Sequence, residues 1–149
     1  ELRKDTDNVD VTNKLLSIAL STKERINEYE YIYKEIFKIT GTPKIIIDLA
    51  SGFNVFSYPF MDLPSITYYS YDINEKDINY LNEYYKIMKN KGLDGNAQIL
   101  NLLDLEKIKN LPPSDIIFLF KIIDIISKSA IRSVFAAGEA RGKHTPDPL

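Results

Sequence analysis

Lys44-Ile45-Ile46-Ile47-Asp48-Leu49-Ala50-Ser51-Gly52-Phe53-Asn54 is the stretch from which the rest of the chain can be read. Its first six residues form a β-branched apolar run, which suits a strand buried on both faces of a parallel sheet. Small residues and Gly52 follow at once, so the chain turns where backbone amides can approach a ligand closely. Upstream, residues 9–20 carry Val11, Leu15, Ile18 and Ala19 at helical spacing and predict a short amphipathic helix. Ser21 and Glu24 have the spacing of a capping box. They predict a helix running to about Ile39, with Ile26, Tyr29, Ile32, Tyr33, Ile36 and Phe37 on one face and Gly41 and Pro43 as its stop.

Downstream, residues 50–64 read as a loop or broken helix punctuated by Gly52, Pro59 and Pro64. Residues 66–71 predict a second strand ending at Asp72. A helix capped by Asn74 or Asp72 then runs to about Asn90, with Ile78, Leu81, Tyr84, Tyr85 and Met88 inward and Gly92 as its stop. Residues 97–102 predict a third strand, 103–110 a turn or short helix, 115–120 a fourth strand after Pro112-Pro113, and 121–135 a helix. Alternating strands and helices signal an α/β fold with a parallel sheet.

Composition narrows the function classes. Hydrophobic residues make up 44% and charged ones 27%, an ordinary globular balance for a 149-residue, single-domain length. No apolar run reaches the roughly 18 residues of a membrane helix, and Asp5, Asp7 and Asp10 argue against a secretory signal. The expected location is the cytoplasm. The absence of cysteine excludes thiolate chemistry, and a single histidine, His144, makes a His-rich metal site or a Ser-His-Asp relay a poor expectation. The net charge of −2 gives no bulk signal for nucleic acid, and the lysines at 86, 89, 91, 107 and 109 read as solvated helix faces. Residues 135–149 lack the Ile, Asn and Tyr that fill the rest of the chain and read as a disordered tail.

In a parallel sheet, ligands bind beyond the carboxyl ends of the strands, at the switch point beside the first strand. Three successive strand ends here carry matching features. Asp48 stands beside the Gly52 turn, Asp72 is placed to accept two ribose hydroxyls, and Asp104 is placed to meet an adenine amino group. Each acid alone could equally cap a loop or helix; the set of three is the informative unit. The loop has one glycine followed by the bulky Phe53, so it lacks both the dinucleotide fingerprint and a Walker loop. An acidic loop repels pyrophosphate but tolerates a sulfonium cation, which favours S-adenosylmethionine (SAM). Tyr29, Tyr33, Tyr84 and Tyr85 recur at helical spacing and are expected in the core. Phe53, Phe56, Tyr58 and Phe60, on the proline-rich loop, are candidates to line the cofactor or base pocket.

Four segments carry a resemblance: Ser21-Thr22-Lys23-Glu24-Arg25, IDLASGFN at 47–54, YDIN at 71–74 and FLFK at 118–121. Together they resemble the aminoglycoside-resistance 16S rRNA (guanine-N7) methyltransferases, within the class I SAM-dependent methyltransferases, over residues 20–126. The resemblance implies a Rossmann-like sheet with flanking helices, SAM as cofactor and the 30S subunit as partner. It gives Arg25 the SAM carboxylate, Ala50, Gly52 and Asn54 the methionine part, Asp72 and Ile73 the ribose and adenine, and Asp104 with Leu105 the adenine edge. Lys121 matches a lysine or arginine after the fourth strand in relatives.

On this reading residues 1–20 form a helical lead-in, 21–134 a partial SAM-binding domain apparently truncated after the fourth strand, and 135–149 the tail. Guanine N7 has a free lone pair at neutral pH, so no general base and no metal are expected; catalysis is in-line positioning. The alternatives are a SAM-dependent transferase of small molecules and a SAM-binding fragment without turnover.

Overall fold

The structure is a computed structural model and describes residues 6–120; the expected helix 121–135, the tail, Lys121 and His144 lie outside the described residues. The elements run α1 (Thr6–Leu16), α2 (Leu20–Lys23), α3 (Tyr29–Thr40), β1 (Ile45–Leu49), a 3-10 helix (Asn54–Met61), β2 (Ile66–Asp72), α4 (Glu75–Met88), β3 (Leu93–Ile99), α5 (Leu105–Lys109) and β4 (Ile116–Phe118), with a one-turn 3-10 segment after α4. All four strands are parallel, in the order β3-β2-β1-β4. The α/β class expected from the strand and helix alternation is therefore the observed one.

The register divides the sheet into two faces. Ile46, Asp48, Tyr68, Ser70 and Phe118 share one of them. That face is covered by α3, the 3-10 helix and α4. Tyr33 of α3 lies 5.9 Å from the Phe118 ring, and Ser70 bonds the Tyr85 hydroxyl of α4 at 2.9 Å. Tyr29, Tyr33, Tyr68, Ile46, Ile47, Leu81 and Leu93 are almost wholly buried. The core is thus rich in tyrosine, and each buried phenol has to find a polar partner. Pairing at the open edge of β3 is completed by Asn82 of α4, whose side chain accepts from Ala97 N at 2.8 Å and donates to Ala97 O at 3.0 Å.

Three expectations are corrected. First, the capping box at Ser21 does not begin the long helix, which starts at Tyr29. Thr22 is buried and its hydroxyl meets the carbonyls of Leu16 and Ala19; tight i→i+3 bonds then run through Arg25 and Glu28. Second, the first helix ends at Leu16 and turns Thr12 and Leu16 inward, while Val11 and Ile18 are exposed. Third, the third strand is Leu93–Ile99 rather than 97–102. Asp94-Gly95-Asn96 resembles turn chemistry, but an edge strand tolerates polar residues and glycine.

The stop and start signals around α4 are as read. Gly92 has φ 96 and ends the segment, and the Asn74 side chain accepts from Lys76 N at 3.1 Å. Asn74→Ala is expected to cost about 1 kcal/mol, the usual value for a lost N-cap, as a lower urea midpoint with an unchanged slope.

Candidate functional site

The carboxyl ends of β1 and β2 are joined by backbone and side-chain bonds beside the switch point of the sheet, which lies between β1 and β4. After Leu49 the chain takes a left-handed step at Ala50 (φ 53) and another at Gly52 (φ 50). These two steps let Ser51 N reach Tyr71 O at 3.0 Å and Gly52 N reach Asp72 Oδ2 at 2.8 Å. Asp72 Oδ1 accepts from Ile73 N at 2.7 Å and from Asn74 N at 3.2 Å. One carboxylate therefore holds two loops in register, and it remains partly exposed. Beyond its two chain neighbours, no heavy atom lies within 4 Å of where a Gly52 Cβ would stand.

Next along the sheet, Leu100 N bonds Asp72 O at 2.9 Å and brings the end of β3 beside that of β2. Asp104 caps α5, accepting from Lys107 N at 3.2 Å with Lys107 Nζ 3.4 Å from its other oxygen. Ile73, Leu103 and Leu105 are 69%, 85% and 65% exposed, so this rim presents apolar side chains between its acids.

Two residues read as ligand contacts lie deeper. Asp48 and Asn54 are each 1% exposed. Asp48 Oδ2 accepts from the Tyr68 hydroxyl at 2.6 Å and from Asn54 Nδ2 at 2.9 Å. Asn54 Oδ1 accepts from the Tyr29 hydroxyl at 2.9 Å, and Arg25 Cζ lies 5.7 Å from the Tyr29 ring centroid. Arg25, Tyr29, Asn54, Asp48 and Tyr68 thus form one polar run from the turn before α3 into the middle of the sheet. Burial pushes the Asp48 carboxyl up to about 6; the Tyr68 and Asn54 hydrogen bonds and the Arg25 charge hold it below where burial alone would take it. Burial, with Asp48 beside it, also raises Tyr68 well above the usual phenol value, so Tyr68 remains a neutral donor.

Sequence reading missed Tyr29 and Tyr68 as polar partners. A signal was present: Tyr68, Ser70 and Asp48 have the same parity on adjacent central strands, and buried polar groups require partners. The aromatic loop is corrected at two of its four positions. Phe56 and Tyr58 are buried, Phe56 against the Tyr84 ring at 4.7 Å and Tyr58 bonded to the carbonyls of Leu63 and Lys91. Phe60 stacks on Tyr29 at 6.2 Å. Phe56 and Tyr58 thus pack the 3-10 helix onto its neighbours, whereas Phe53, stacked on Phe56 at 5.4 Å, and Phe60 stay half-buried.

Comparison with known proteins adds a family. The family model described as "Ribosomal RNA methyltransferase (FmrO)" matches residues 4–128. A 16S rRNA (guanine(1405)-N(7))-methyltransferase of Proteus mirabilis is 43% identical over 47 residues, covering 32% of this chain and 17% of the relative. The enzyme of the same description from Micromonospora rosea is 27% identical over 111 residues, 74% of this chain and 38% of the relative. Among solved structures, the 16S rRNA methylase ArmA superposes with a TM-score of 0.56 at 25% identity, over 72% of this chain and 53% of that one. An rRNA methylase from Escherichia coli shares the fold, with a TM-score of 0.62 at 22% identity over 88% of this chain and 55% of that one. The chain spans about half the length, or less, of these proteins.

Proposed function

The chain belongs to the ribosomal RNA methyltransferase (FmrO) family, and from that premise we propose that it provides the SAM-binding part of an enzyme that methylates guanine N7 in 16S rRNA of the 30S subunit. The observation that carries this reading is the joint held by Asp72. A partly exposed carboxylate and the Gly52 turn meet at the strand ends beside the switch point, and Ile73, Leu103 and Leu105, after the ends of β2 and β3, are exposed.

The donor set fits SAM. Carboxylates and amides suit hydroxyl and amino groups, the apolar rim suits adenine, and the single-glycine loop is no phosphate cradle. On this reading Asp72 holds the ribose, Ile73 and Leu105 flank the adenine, and Asp104 meets its amino group. The backbone of Ala50 and Gly52 approaches the methionine part and Arg25 meets its carboxylate. Asp48 and Asn54 act from behind, by holding the loop.

When bound, SAM supplies an electrophilic methyl group on a sulfonium sulfur. Guanine N7 offers a lone pair without deprotonation, so the chain's residues have only to orient the reactants and exclude water. The lack of cysteine and of any histidine but His144 is compatible with that chemistry. The cytoplasm, where ribosomes work, is the matching location. No helix among the described residues is long and apolar enough to cross a membrane.

Titration with S-adenosylhomocysteine tests the cofactor reading, and transfer of labelled methyl from SAM to isolated 30S subunits tests the substrate. Asp72→Ala is expected to weaken S-adenosylhomocysteine binding about 10- to 100-fold, the usual range for losing hydrogen bonds to a charged group. Unchanged affinity in that variant would remove Asp72 from the ribose. Cofactor binding without any transfer to 30S would favour a SAM-binding fragment, and transfer to small molecules alone would favour the other alternative.

A further inference from the structure

We infer that Tyr29 is a positioning residue for the methionine end of this site, its hydroxyl fixing the Asn54 amide while its ring face carries the Arg25 guanidinium. The inference rests on the reading that this end of the sheet takes SAM with Arg25 on its carboxylate. The geometry behind it is independent of that reading.

Tyr29 is the first residue of α3 and is 1% exposed. Its ring is held by stacking on Tyr33 at 5.7 Å and on Phe60 at 6.2 Å, so it cannot follow a moving neighbour. Its hydroxyl donates to Asn54 Oδ1. A side-chain amide can in principle be turned either way, but only one orientation serves here. The oxygen must face the Tyr29 donor, because the carboxylate of Asp48 can only accept from the nitrogen. Asn54 N also bonds Ser51 O at 3.0 Å, so fixing Asn54 fixes the Ser51–Gly52–Phe53 turn at the end of β1.

The same ring serves Arg25, whose Cζ stands 5.7 Å from its centroid, within the range where a cation is attracted to an aromatic face. One immobile side chain therefore sets two grips, the loop backbone on one side and the guanidinium on the other. Both grips belong to the amino-acid end of SAM; the loop meets the ribose residue only through Gly52 N, and Asp72 keeps its own bonds to Ile73 N and Asn74 N. Tyr29 contacts no ligand itself.

Two probes separate those ends. S-adenosylhomocysteine carries the amino-acid group, and 5′-methylthioadenosine lacks it. In calorimetric titrations of the full 149-residue chain, Tyr29→Phe, which keeps the ring but removes the hydroxyl that faces both Asn54 and Arg25, is expected to weaken S-adenosylhomocysteine about tenfold. Tyr29→Leu, which loses ring and hydroxyl, is expected to weaken it about 30-fold. Both variants are expected to bind 5′-methylthioadenosine within about twofold of wild type. In an Arg25→Ala background the Phe and Leu variants are expected to bind S-adenosylhomocysteine alike, since no guanidinium is left for the ring to carry.

Parallel loss of both ligands in the Tyr29 variants would overturn the inference in favour of a purely structural role. So would unchanged S-adenosylhomocysteine affinity in both. If Tyr29→Leu fails to fold, Tyr29→Phe decides alone. A wild-type chain that binds neither ligand overturns the cofactor reading itself, and the inference with it.

Discussion

Gly95→Ala is expected to lower the stability of this chain by about 4 kcal/mol or more, a large part of the 5–15 kcal/mol typical of a domain. Gly95 lies in β3 opposite Tyr68 of β2 and has φ 122, which side chains of L-residues rarely adopt. A Cβ there would overlap the backbone carbonyl oxygen of Tyr68 and stand 2.8 Å from its carbonyl carbon. Backbone of a paired strand cannot swing aside as the tip of a flexible side chain can, so β3 would have to part from β2. Gly52→Ala is the control. It also asks an alanine to take positive φ (50), but into open space, and is expected to cost about 1–2 kcal/mol. Urea unfolding of the two variants side by side measures the contrast. A Gly95→Ala midpoint close to that of wild type would show that β3 does not pair with β2 in this register.

The second large effect concerns Asp48 and depends on pH. Its carboxyl is raised from 3.8 to about 6, chiefly by burial, so the folded protein holds this proton more tightly than the unfolded chain does. Stabilisation from that proton is complete below about pH 4 and is lost as pH rises through about 6. It amounts to about 3 kcal/mol across the window. Asp48→Asn keeps an acceptor for the Tyr68 hydroxyl and the Asn54 amide without the buried charge. The difference in stability between the Asp48→Asn and wild-type proteins is expected to grow in favour of the variant between pH 4 and 7, by up to about 3 kcal/mol. Asp48→Ala instead leaves the buried Tyr68 hydroxyl without its acceptor and takes from Asn54 Nδ2 one of its two acceptors, the other being the Tyr68 oxygen, and is expected to cost about 3 kcal/mol. Urea midpoints at pH 4.5 and 7 give both numbers, and an equal pH slope in wild type and Asp48→Asn would move the titrating group elsewhere.

The fold was legible wherever one signal dominated. The run Ile45-Ile46-Ile47 marked the central strand, and Asn74 and Gly92 marked the start and stop around α4. Legibility failed where local chemistry had two meanings. Asp94-Gly95-Asn96 spells a turn unless the strand is an edge, and Ser21 with Glu24 spells a cap unless the neighbouring Thr22 is pinned to the end of the preceding helix. At the site, the strand-end rule located Asp72 and Gly52 together. It could not tell that Asp48 and Asn54 face inward, because that depends on Tyr68 and Tyr29, 20 and 25 residues away from them in the chain.

The strand order also sets a schedule. β1, β2 and β3 leave the translating ribosome in succession and can zip together at once, whereas the second edge of β1 must wait for β4, with Asp115 lying 70 residues after Ile45. At about 5–20 residues per second, that wait lasts about 4–14 s. For those seconds the nascent chain shows a bare, isoleucine-rich strand that any other extended polypeptide can pair with. Yield in the cell is therefore expected to respond to elongation speed and chaperone supply more than the finished molecule's melting behaviour would suggest.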